Sequence, residues 1–171
     1  MPDIDQIDPK KISVQEYIAA LEEMFESGLD PSEVDPGAFA RLVKHSSGKQ
    51  LGELDTNMRA PMVIDAVFSQ MSAYFRPDKM CSPKESTIRW VLKGSSELVY
   101  ETVVSTAGCM VSEGQHADSP RVTLTMKPSE FIKVASGNAS PTRMYMTRKL
   151  KFSGDLGFAA AFGSMFEIQK A

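Results

Sequence analysis

The sequence predicts an α+β fold: a five-stranded, mixed and mostly antiparallel sheet covered by helices on one face. Three observations predict it. Residues 88–113 hold three short runs of alternating apolar and polar side chains separated by glycine-containing turns, the pattern of consecutive hairpins. Residues 122–153 read as strand, helix, helix, strand, and strongly apolar helical segments at 61–75 and 156–166 flank the sheet-forming region.

Taken in order, Met1 to Lys11 alternates aspartate with isoleucine and proline and reads as a loose tail. Ser13 with Glu16 makes a capping box, and Tyr17, Leu21, Met24 and Phe25 recur at helical spacing, so a helix is expected from Ser13 to Ser27, ended by Gly28. After Asp30-Pro31 a second helix is expected over Pro36 to Lys44, with Phe39, Leu42 and Val43 as its apolar stripe. His45 to Gly48 breaks it, and Lys49 to Leu54 reads as one further helical turn. This N-terminal extension, residues 1–60, must bury its stripe on the rest of the chain or on a second subunit. Residues 61–171 read as the main domain.

In Pro61 to Phe75 the residues Val63, Ile64, Val67, Phe68, Met71 and Phe75 form a wide apolar face, and Arg76-Pro77 stops the helix. Ile88, Trp90 and Leu92 alternate with Arg89, Val91 and Lys93 in the first strand; Leu98, Tyr100, Thr102 and Val104 share one side of the second; Cys109 to Glu113 is the third. Val122, Leu124 and Met126 define the fourth. Pro128 suits the first turn of a helix that Gly137 ends, and Ser140-Pro141 opens a shorter one. Leu150 and Phe152 face one way and Lys149, Lys151 and Ser153 the other, which makes a last strand closed by Gly154, and Asp155 caps the helix that follows.

That last helix, Leu156 to Phe166, is apolar around nearly its whole circumference, whereas a surface helix keeps a polar face. It is too short for the roughly 20 residues of a membrane span. A buried core position, a protein partner or a greasy ligand must therefore cover it. Phe158, Phe162 and Phe166 lie four apart on one face; Gly157, Ala160 and Ser164 form a small-residue face suited to close approach to a sheet.

With Val122-Thr-Leu-Thr-Met126, Phe131 through Gly137-Asn138, Met144-Tyr-Met146 and Lys149-Leu-Lys-Phe-Ser-Gly-Asp155 before an apolar helix, the chain resembles the sterol carrier protein 2 (SCP-2) domain family, from roughly Pro61 to Ile168. Arg148 departs from the pattern, because the family often has glycine there. The resemblance implies an apolar tunnel between sheet and helices, with the C-terminal helix helping to cover it. It implies that Phe131, Val134, Met144, Met146, Phe152, Phe158, Phe162, Met165 and Phe166 supply ligand-binding positions, about half of them as tunnel wall. Methionine's flexibility suits a pocket for variable ligands as well as an irregular core.

The chain of 171 residues carries a net charge of -3, with 12 acidic and 6 basic residues in positions 1–60 and a net +3 beyond them. This balance argues against a nucleic-acid binder held by phosphate contacts. Arg143, Arg148, Lys149 and Lys151 cluster near the apolar helix. They read either as a solvated face or, for Arg143, Arg148 and Lys151 in particular, as head-group contacts at a pocket mouth or transient contacts with an anionic membrane surface. Cys81 and Cys109 read as reduced thiols, because the start lacks the charged and apolar regions of a secretory signal. Gln169-Lys170-Ala171 is not a peroxisomal address, and the expected compartment is the cytoplasm.

His45 and His116 stand in no metal-binding or relay spacing, neither cysteine has an activating partner in a motif, and no phosphate-binding glycine pattern occurs. No catalytic residue, metal site or cofactor is expected. The sequence thus favours non-catalytic binding and transfer of fatty acyl chains, acyl-coenzyme A, sterol-like or other apolar molecules, with release through opening of the last helix or of Ser136 to Pro141. Two other readings stay open: an enzyme or accessory factor in which Asp65, His116 or Tyr145 assists chemistry on a hydrophobic intermediate, and an interaction module, oligomeric or with a partner.

Overall fold

The computed structural model describes residues 7–26, 36–56, 60–80 and 84–166. Cys81, Gly28 and the turn at Asp30-Pro31 lie outside them, as do the side chains of Met24 and Phe25. Four helices come first: α1 (Val14–Glu26), α2 (Pro36–His45), α3 (Gly48–Thr56) and α4 (Ala60–Tyr74). Strands β1 (Ser86–Lys93), β2 (Glu97–Ser105), β3 (Gly108–Glu113) and β4 (Val122–Met126) follow, then α5 (Pro128–Ala135), α6 (Pro141–Met146), β5 (Lys151–Gly154) and α7 (Leu156–Phe162).

The five strands form one sheet in the order β3-β2-β1-β4-β5. All neighbours are antiparallel except β1 and β4, which pair parallel with Trp90 opposite Leu124. The fold class expected from the sequence is the one observed. Period-two alternation sets which face is covered: Ile88, Trp90 and Leu92 on β1 and Val122, Leu124 and Met126 on β4 are buried beneath the helices, in register with one another. Phe68 of α4 lies at the centre, stacked on Tyr100 at 4.2 Å and Phe131 at 4.4 Å and edge-on to Trp90 at 5.8 Å.

On the other face, residues 114–121 cross the sheet to make the parallel connection. Glu101, 1% exposed, anchors this crossing by accepting hydrogen bonds from the backbone N–H groups of His116 (3.1 Å) and Ala117 (2.9 Å) and from the Arg89 guanidinium (3.0 Å).

The N-terminal helices pack on the sheet's helical layer. Tyr17, Ile18, Leu21, Phe39, Leu42, Leu51 and Leu54 share one apolar cluster with Phe68 and Trp90. The Ser13–Glu16 capping box forms as expected, with bonds of 2.7 and 3.2 Å. A second box, Ser47 with Gln50 at 2.8 and 3.1 Å, starts α3 earlier than the sequence reading placed it. The expected loose tail is also partly fixed, since Gln50 Nε2 donates to the carbonyl of the buried Pro9 at 2.7 Å.

Two boundaries differ from expectation near the C-terminus. The last strand begins at Lys151, not Lys149, because Lys149 and Leu150 both donate their N–H to the Met144 carbonyl in closing α6. Arg148, at φ 62°, takes the left-handed conformation of a helix C-terminal cap, where glycine is the usual residue. The last helix stops at Phe162 and continues only as a 3₁₀ turn, Gly163–Met165. Its small-residue face of Gly157, Ala160 and Ser164 is exposed, so it is the aromatic side that approaches the sheet.

Candidate ligand-binding site

Between the sheet and the helices lies a cavity of about 380 Å³. Trp90 of β1, Leu124 and Met126 of β4 and Phe152 of β5 form its floor, because the same alternation that buries them points them at the helical layer. Helix α4 contributes Val67, Gln70, Met71 and Tyr74, an i, i+3, i+4, i+7 stripe. Phe39 of α2 and Phe131 and Val134 of α5 close one side, and Phe162 and Phe166 another. The wall reaches the surface where Tyr145 (49% exposed) and Leu156 (60% exposed) border it.

The described lining contains no aspartate, glutamate, lysine, arginine, histidine or cysteine. Most of its polar side chains are already partnered. Ser136 Oγ donates to the Ile132 carbonyl at 2.7 Å and accepts from Asn138 Nδ2 at 2.9 Å. Trp90 Nε1 donates to Thr102 Oγ1 at 3.0 Å, and Ser140 caps α6. Among the buried ones the exception is Gln70, 5% exposed, whose Nε2 has no hydrogen-bond partner among the described residues. The sequence reading passed over it. The available signal was a polar residue interrupting the stripe between Val67 and Tyr74.

Of the nine expected ligand positions, Phe131, Val134, Phe152, Phe162 and Phe166 lie in the cavity wall. Met144 and Met165 are buried in the core away from it, and Met146 is 76% exposed. Phe158 is buried under the Arg121 guanidinium, 4.3 Å from its ring centroid, where Arg121 also pairs with Asp155 at 3.1 Å. Four-residue spacing placed Phe158 with Phe162, but Phe158 turns toward Arg121 while Leu156, Ala159, Ala160 and Phe162 of the same helix line the cavity. Arg143, Arg148 and Lys151 are exposed and outside the wall, although Arg143 adjoins Thr142 and Lys151 lies between Leu150 and Phe152, all three wall residues.

Among the groups considered for chemistry, Tyr145 borders the cavity, whereas Asp65 accepts from Tyr100 Oη at 3.3 Å outside it and His116 lies in the 114–121 crossing. Cys109 is a free thiol in β3, and burial pushes it up to about 11, well away from a nucleophile's range. His45 is exposed in the last turn of α2, where a cation complements the helix dipole.

The SCP-2 sterol transfer family matches residues 76–167. Among curated proteins, hydroxysteroid dehydrogenase-like protein 2 of Mus musculus is 26% identical over 82 residues, which cover 48% of this chain and 17% of that protein. The Danio rerio protein of the same name is 22% identical over 134 residues, covering 76% of this chain and 32% of its own. The chain therefore spans no more than about a third of these relatives. Among solved structures, the stereoselective inverting sec-alkylsulfatase Pisa1 from Pseudomonas sp. has a TM-score of 0.55 at 13% identity, covering 91% of this chain and 28% of that one. Palmitated SCP2L2 from Aedes aegypti has a TM-score of 0.50 at 17% identity, covering 63% of this chain and 94% of that one. Both likenesses are likenesses of fold.

Proposed function

This chain belongs to the SCP-2 sterol transfer family, and from that premise we propose that it binds and transfers apolar ligands without chemistry, holding fatty acyl, acyl-coenzyme A, sterol-like or similar molecules in the cavity between sheet and helices. The observation that carries this reading is the cavity itself: about 380 Å³, walled by aromatic and aliphatic side chains, with no charged group in its described lining. That volume lies near the lower end of the roughly 300–1,000 Å³ typical of ligand pockets. Binding would come from burial. Each methylene removed from water contributes about 0.8 kcal/mol, roughly a fourfold gain in affinity.

A series of saturated fatty acids of increasing length, displacing a fluorescent fatty-acid probe, tests this. Affinity is expected to rise about fourfold per methylene and to level off once the cavity is full. Affinity independent of chain length would refute the reading.

The mouth supports a transient contact with anionic membranes. Tyr145 and Leu156 expose apolar surface there, Met146 is exposed next to Tyr145 in the chain, and Arg143 and Arg148 are exposed in the same segment. Each cation near such a surface contributes about 1 kcal/mol. Sedimentation with phosphatidylserine-containing vesicles should carry the protein down at low salt, and neutral vesicles should not; equal partitioning would argue against the contact. Among the described residues no helix is long and apolar enough to cross a membrane. The free Cys109 thiol fits a reducing compartment such as the cytoplasm.

A second reading is favoured by the share of the relatives that this chain matches. It corresponds to a part of proteins named as a dehydrogenase-like protein and an alkylsulfatase. In such a setting the cavity would hold a hydrophobic substrate beside a catalytic unit. It predicts that addition of this chain changes the KM, and not the kcat, of a partner enzyme acting on a cavity ligand.

A further inference from the structure

We propose that Gln70 is a polar anchor inside the cavity and that the preferred ligands carry a neutral hydrogen-bond-accepting oxygen, a ketone, ester or alcohol, within their apolar body. This inference rests on the cavity being a ligand site. Gln70 stands on the α4 stripe with Val67, Met71 and Tyr74, all of them in the wall. It is 5% exposed, and its Nε2 has no hydrogen-bond partner among the described residues. A buried amide N–H left unmade destabilises a protein, and an apolar side chain of similar shape would remove the cost. Ser136 and Trp90, the other enclosed polar side chains of the wall, are already answered within the protein. Nε2 is itself enclosed in this conformation, so a half-turn of the side-chain amide would bring it to the cavity that Gln70 lines, where an oxygen on a bound molecule would supply what the fold does not.

The neutrality of that oxygen follows from the rest of the lining. No cation borders the cavity among the described residues, so an ionised carboxylate beside Gln70 would lack a counter-charge in a low-dielectric site. Charged head groups are therefore directed to the mouth, where Arg143 is exposed next to the wall residue Thr142, while the anchor reads an uncharged oxygen deeper in.

The test uses methyl nonyl ketone and undecane, which have the same number of carbons, as competitors of a fluorescent fatty-acid probe on the full chain. The ketone-to-undecane affinity ratio should be about three- to tenfold higher for wild-type protein than for Gln70→Leu, the range of one hydrogen bond. The variant should also melt at or above the wild-type temperature. Gln70→Met provides the same comparison if leucine packs poorly. An unchanged ketone-to-alkane ratio in both variants overturns the anchor and leaves the lipid-binding function standing. If wild type binds neither molecule nor the probe, the function itself fails and the anchor with it.

Discussion

Glu101 is the one acidic side chain buried among the described residues, and its position explains why β1 and β4 can pair in parallel. Burial works against its charge, but the N–H of Ala117, the Arg89 guanidinium and the N–H of His116 outweigh it and hold the carboxyl below its ordinary value of 4.5. The unfolded chain thus takes up protons more readily than the folded one. Stability from this group is fully present above pH 4.5 and is lost as the pH falls through the lower folded value. Glu101→Gln should cost about 3 kcal/mol at neutral pH, since it breaks a buried pair. It should also flatten the acid limb of stability measured by urea unfolding between neutral and strongly acidic pH. An acid limb as steep as that of wild type would contradict this role. The sequence showed Glu101 only as a polar position in an alternating strand; nothing local pointed to the 114–121 backbone that it holds. Arg148 was legible as a departure from the family's glycine, and its φ of 62° shows that the turn keeps its left-handed form with a side chain in place.

At the scale of elements, periodicity and turn residues located the α-helices and strands that the described residues contain, though not the 3₁₀ turn at Pro77–Lys79. They could not show which element serves another. Helix α5 receives no cap from Lys127; its N-terminus is capped by Asp55 of α3, whose carboxylate accepts from Ser129 N at 2.9 Å and Ser129 Oγ at 2.8 Å. The two residues are 74 positions apart, so no local pattern reveals the pair. The same α3 terminus meets the β1–β2 turn, where a Cβ on Gly94 would lie 2.3 Å from the Asp55 carbonyl oxygen. Asp55→Ala should destabilise the protein by about 1–2 kcal/mol, as loss of an N-cap does. It should also weaken probe binding, because α5 carries Phe131 and Val134 of the cavity wall. Stability within a few tenths of a kcal/mol of wild type would show that the cap is dispensable.

For the whole molecule, the cavity joins segments far apart in the chain: Phe39 from the N-terminal helices, α4, the central strands and the C-terminal aromatics. Five of the nine positions expected to bind ligand line the cavity, because they lie on faces turned toward the sheet's covered side. Met144, Phe158 and Met165 share that apolar character but are enclosed by neighbours, a difference that depends on three-dimensional packing and not on spacing. We propose that residues 1–60, the N-terminal extension, complete the wall of the domain formed by residues 61–171. The support is Phe39 in the lining and the Asn138 Nδ2 bond to the Ala40 carbonyl at 3.0 Å. The alkylsulfatase likeness spans 91% of the chain, so helices and sheet recur together in that fold. The central claim is that the cavity holds an apolar molecule. The most direct measurement is the mass of detergent-free protein under native and then denaturing conditions, with anything released extracted and identified. A stoichiometric lipid or similar apolar molecule leaving on denaturation is the predicted result; protein of bare chain mass that also fails to bind fatty-acid and sterol probes would contradict it.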